Sequence, residues 1–233
     1  MRTKPWLWIV AAVLVLIVGA GTTVVLAFPS VAAITCPQCF GLVRVEDGLY
    51  AERDISEADR QRLIALHREA NQRVTEFYGG REGSPTVLAC FTAECYRRIG
   101  GGGERGVAVL NQAVMLSPRG LDPVIASHEL SHVELHARLD STVPQWFDEG
   151  LAALVSDDPR YLLPRSAPNR CRASTSDPLP QTLDEWLRAA SADEQMYAKA
   201  ACRVHRWAEA HGGHRAVLDL ITRMNNGAPF DAR

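Results

Sequence analysis

The chain has 233 residues, a formal net charge of −2, 22% charged and 47% hydrophobic residues. That length supports one domain with a proper core, or at most two small ones, and the near-neutral balance gives no electrostatic case for a nucleic-acid partner. There are no internal repeats, and the only low-complexity tract is Gly100–Gly103.

Arg2 and Lys4 precede an uncharged run of 23 residues, Trp6 to Phe28, rich in Val, Leu, Ile and Ala. Such a run spans a bilayer core of about 30 Å, whereas a cleavable signal has an apolar region of roughly 7–15 residues. Residues 1–28 are therefore read as a single transmembrane signal anchor. The alternative is a signal cleaved near Ala32-Ala33, leaving a secreted or periplasmic protein. The first basic residue after the run is Arg44, so the N-terminus is expected in the cytoplasm and the rest outside it. Both readings export the remainder of the chain.

Residues 29–55 read as a Cys-containing linker with a short hairpin, and 56–233 as the main domain. Cys36-Pro37-Gln38-Cys39 has the spacing of a redox motif or half a zinc knuckle, but six cysteines in an exported chain point to three disulfides. Of the many possible pairings we favour Cys36–Cys39, Cys90–Cys95 and Cys171–Cys202. Phe40–Tyr50 contains an Asp47-Gly48 turn between short apolar runs, the pattern of a hairpin. Ser56 then caps a helix to about Tyr78, with Leu63, Leu66, Ala70, Val74 and Phe77 at helical spacing and Gly79-Gly80 ending it. His67 lies near that stripe and is read as a packed residue.

Pro85–Phe91 has the composition of a buried strand, and 106–110 and 112–116 read as two further short strands. The Gly100–Gly103 loop lacks the preceding strand and following Lys of a phosphate loop. Residues 157–181 hold five prolines and Cys171, marking a long irregular loop of the kind that shapes clefts. Leu183–Ala190, Asp193–His211 and His214–Met224 read as helices.

The chemistry concentrates in a helix predicted over 122–140. Asp122 is its N-cap, Pro123 fits the first turn, and no Gly or Pro follows until Pro144. It carries His128-Glu129-Leu130-Ser131-His132. Residues four apart share a helix face, so the two imidazoles can aim at one point about 2 Å from each, as a zinc ion requires. Glu129 leans toward the same rim, placed to take a proton from an ion-activated water. His136 continues the row, but eight residues rise about 12 Å, too far for one ion to be shared with His128. It is read as a supporting or surface residue. The charges Glu134, Arg138 and Asp140 on this helix argue that the site is in water, not within a membrane.

A catalytic zinc needs a third protein ligand. Glu149 follows His132 after 16 intervening residues, within Pro144-Gln145-Trp146-Phe147-Asp148-Glu149-Gly150-Leu151-Ala152. The two motifs together resemble the gluzincin metallopeptidases, the clan of thermolysin and the M1 aminopeptidases; the likeness is tight over 128–152 and loose over 85–225. It implies an α+β fold, with a small, mainly antiparallel sheet packed on the HExxH helix and a helical C-terminal half. It implies His128, His132 and Glu149 as ligands of Zn2+ and Glu129 as general base in peptide-bond hydrolysis. Peptides or proteins would be the substrates. It also implies an edge strand beside the zinc helix, for which 112–116 is the candidate. Tyr197-Ala198-Lys199-Ala200 resembles the segment whose Tyr donates to the developing oxyanion, although the family's Gly after Lys is Ala200 here. His205, His211 and His214 are further candidates for that donor. No Asp stands four residues after Glu149, where thermolysin keeps the carboxylate that orients a ligating His; another group must hold that ring. The competing class is an inactive relative that binds a peptide or partner without cleaving it, which the presence of all three ligands and the base argues against.

Overall fold

The computed structural model describes residues 28–174 and 178–232. The predicted membrane span lies outside them apart from Phe28, and no helix among the described residues is long and apolar enough to cross a membrane.

In chain order the elements are α1 (Pro29–Thr35), β1 (Leu42–Glu46), β2 (Leu49–Glu52), α2 (Glu57–Tyr78), β3 (Thr86–Ala89) and α3 (Ala93–Arg98). Then come β4 (Gly106–Val109), β5 (Ala113–Leu116), α4 (Pro123–Arg138) and α5 (Gln145–Val155). The C-terminal half adds α6 (Leu183–Ala192), α7 (Met196–Ala210) and α8 (His214–Asn225). The class is α+β, as expected, with α1 and α3 unforeseen.

The sheet corrects the expectation of a mainly antiparallel arrangement. Its order is β1-β2-β3-β5-β4, and it is mixed: β1–β2 and β4–β5 are antiparallel, β2–β3 and β3–β5 parallel. Connection length explains this. The tight turns at Asp47-Gly48 and Leu110-Asn111 reverse the chain, whereas α2 and the α3–β4 segment are crossovers that return it in the same direction. Leu110 and Asn111 take φ of 51° and 55°, the left-handed central pair of the turn that Gln112 N–H closes on Val109 C=O, three residues separating the paired Val109 and Ala113. The edge strand is corrected too. Within the 112–116 segment, Ala113–Leu116 form β5, fully buried between β3 and β4, while Gln112 lies exposed in the turn, and the outer strand is β4.

Alternation sorts the strand residues between two cores. Leu49, Ala51, Val87, Ala89, Val114 and Leu116 face α2 and α4, joining Leu63, Val74, Tyr78 and Leu130. Leu42, Leu88, Cys90 and Met115 face the other way, against Tyr96 and Ile99. The disulfides are Cys36–Cys39, Cys90–Cys95 and Cys171–Cys202, the favoured pairing. The last ties the irregular loop to α7.

α4 runs through the middle of the molecule, with every residue from Ile125 to Leu135 buried. Its charge is not turned to water. The Glu134 side chain is fully buried and accepts from Arg81 Nε, Arg138 Nε and the backbone N–H groups of Glu82 and Gly83, at 2.7–3.1 Å. Those donors hold its carboxyl below the usual glutamate pKa although burial pushes it up.

Candidate metal centre

Two helices build the centre. Asp122 caps α4, its carboxylate accepting from Val124 N–H at 2.7 Å. His128 and His132 stand one turn apart on it, with ring centroids 4.9 Å apart and edges crossed. The chain leaves α4 at Leu139 and turns. The turn is held by Asn225 at the end of α8, which donates to Arg138 C=O and accepts from Asp140 N–H. Pro144 starts α5, whose first N–H groups are satisfied by the carbonyls of Pro180 and Gln181 in the returning loop. α5 thereby lies along α4 with Glu149 facing the imidazoles.

Glu149 Oε2 is 3.3 Å from His128 Nε2 and 3.8 Å from His132 Nε2, and all three ligand atoms lie within 4.8 Å of one another. Ligand atoms about 2.0–2.2 Å from a tetrahedral ion stand roughly 3.4 Å apart, so the group fits one metal ion after a small closure. The sequence-predicted trio is brought together, and it could hold a metal.

The carboxylate missing from the sequence pattern is Asp148. His132 Nδ1–H donates to Asp148 Oδ1 at 2.6 Å, which leaves Nε2 free to face Glu149. His136 Nε2–H donates to the other oxygen, Oδ2, at 2.7 Å. Burial alone would lower the His132 pKa, but Asp148 and then Glu149 and Glu129 outweigh it and raise it. Asp148 is also buried, and His132 and His136 hold its pKa far down. Gln145 was missed as well: its Nε2 donates to Glu149 Oε1 at 3.2 Å, leaving Oε2 for the imidazoles. That pair was legible, since residues four apart on a helix meet. The Asp148–His132 bond was not, because it joins two helices.

Glu129 is buried beside the trio, its pKa raised first by burial and by Glu149, against lowering from His128 and His132. It lies under β4 so closely that a Cβ added to Gly106 would come within 2.8 Å of its Cγ. Tyr197 reaches the centre from α7. Its ring centroid is 6.5 Å from that of His128, it stacks flat on Tyr161 at 5.0 Å, and it meets the edge of Trp186 at 4.9 Å. Burial and then Glu149 raise its pKa, keeping the phenol protonated.

The other histidines lie apart. His205 and His214 line a separate cavity of about 600 Å³ with Arg73, Leu154 and Arg170. His211 donates through Nδ1 to Trp207 C=O at 2.8 Å and stacks on that indole. His67 is half-buried on α2, and burial lowers its pKa. Comparison with protein-family models, curated proteins and solved structures finds no match to this chain.

Proposed function

We propose that the chain is a zinc-dependent metallopeptidase of gluzincin type, hydrolysing peptide bonds with Glu129 as general base. The observation that carries the reading is the convergence of His128, His132 and Glu149 on one point, with Glu129 beside them and β4 alongside. Zinc in that place would supply Lewis-acid polarisation of the scissile carbonyl and a lowered pKa for water. The donor set, two imidazoles and one carboxylate with a carboxylate behind one ring, suits zinc and leaves a fourth position for substrate.

The chain's own residues then divide the work. Glu129 takes the proton of the attacking water and passes it to the leaving amine; its raised pKa suits a group that must both accept and release a proton. The Tyr197 hydroxyl donates to the carbonyl oxygen as negative charge develops there. An extended peptide would add to the outer edge of β4, main chain to main chain. The uncharged N-terminal run and the three disulfides support a membrane-anchored chain with its centre outside the cytoplasm.

The test is metal content beside hydrolysis. The full-length chain should hold about one zinc, lost in His128→Ala and Glu149→Ala, while Glu129→Gln should keep the ion and lose about 10²–10⁴-fold in peptide hydrolysis. Zinc retained by both ligand variants would sink the ligand assignment. A zinc-loaded wild type that cleaves nothing in a random peptide library would sink the peptidase reading and leave a binding module.

A further inference from the structure

His136 lies one turn beyond His132 on α4, outside the ligand trio. Its Nε2–H donates to Asp148 Oδ2 at 2.7 Å while Asp148 Oδ1 accepts from His132 at 2.6 Å. One buried carboxylate thus joins imidazoles on successive turns of the same helix. A carboxylate bonded through a single oxygen can rotate about its terminal torsion, which is broad for Asp. With both oxygens engaged from one helix, its plane is set by two rings. Asp148 also precedes Glu149 directly, so the same contact steadies the backbone that carries the third ligand.

We propose that His136 is a positioning residue of the metal centre, acting through Asp148 to hold His132, and with it Glu149, in the geometry that binds the ion. The proposal rests on the reading that the trio holds zinc. A different role is available to His136: a clamp that only fastens α4 to α5. Apolar packing already fastens them, since Leu130, Val133, Phe147 and Leu151 are buried in one shared core. Two adjacent hydrogen bonds to one carboxylate are more than docking requires. They are what orientation of a ligand requires.

The experiment measures zinc affinity of the full-length chain by competition with a chromogenic chelator, and the melting of the metal-free protein in parallel. His136→Leu should weaken zinc binding about 10–100-fold, the usual loss when an outer partner of a ligand is removed. His136→Gln offers an N–H at similar reach and should recover affinity to within roughly threefold of wild type. In an Asp148→Ala background, His136→Leu should produce no further loss, because residues that act in series are not additive. A clamp would instead lower the melting temperature of the metal-free protein and leave affinity unmoved. Affinity within about threefold of wild type in His136→Leu, or losses that add to those of Asp148→Ala, would overturn the proposal. A wild type that binds no zinc would overturn it together with the metal reading, and is told apart by the wild-type titration alone.

Discussion

Gly150 offers a test in which two physical effects have opposite signs. It sits inside α5, where replacing Gly with Ala ordinarily stabilises a helix by about 0.8–1 kcal/mol. In the fold, however, a Cβ at this position would lie 2.5 Å from Ala200 C=O oxygen, 2.7 Å from its carbon and 2.8 Å from Val204 Cγ2. Two of those atoms are backbone of α7, which no side-chain rotation can move. Ordinary contact begins at 3.4 Å, so the helices must part by about 0.9 Å. Overpacking of this kind costs typically 1–3 kcal/mol, and a backbone obstacle belongs at the upper end. Against the helix-propensity gain, the net for Gly150→Ala is a destabilisation of about 2 kcal/mol. At roughly 2–4 °C per kcal/mol for a domain of this size, the melting temperature should fall by about 4–8 °C. The separation would also part Glu149, one residue before Gly150, from Tyr197, one turn before Ala200. Zinc affinity should fall with stability. The assay is thermal and denaturant unfolding with and without zinc. An unchanged or raised melting temperature would refute the close approach of α5 and α7 and leave only propensity.

Glu134→Gln should destabilise by about 3–5 kcal/mol, because Arg81 would keep a buried charge without its carboxylate and Arg138 would keep only the exposed Glu82. The sign with pH follows from the lowered folded pKa of Glu134: its contribution is present above the unfolded value near 4.5 and is lost as pH falls through the folded one. The gap between wild type and Glu134→Gln in urea midpoints should therefore close on acidification below about pH 4.5, and a gap that widens there would contradict the network. Tyr197→Phe should keep fold and zinc but lose about 10²–10³ in kcat, and a loss under about threefold would return Tyr197 to a packing role. A reporter active only outside the cytoplasm, fused after Arg233, should be active; activity only from a cytoplasmic reporter would reverse the topology.

Much of the centre was readable along the chain. Asp122 and Pro123 start α4, nothing breaks it before its end, and residues four apart must share a face, so His128 and His132 form a pair in any fold that keeps this helix. Gln145 and Glu149 obey the same rule on α5. Short cysteine spacings likewise made two of the disulfides local matters. These features rest on geometry that repeats within a few residues.

Strand neighbours and the fate of charges were decided elsewhere. Nothing in 106–116 says which of its two strands pairs with β3 and which is left as the rim over Glu129; that depends on where the chain returns after α2 and α3. Glu134 looked like a solvated charge by its sequence neighbours, yet its carboxylate accepts from backbone 52 residues away at Glu82 and is sealed from water. In the sequence Asp148 is only an acid beside Glu149. Only the packing of α5 on α4 brings it to His132 and His136, because a hydrogen bond between two helices is fixed by their docking and leaves no period in the sequence of either.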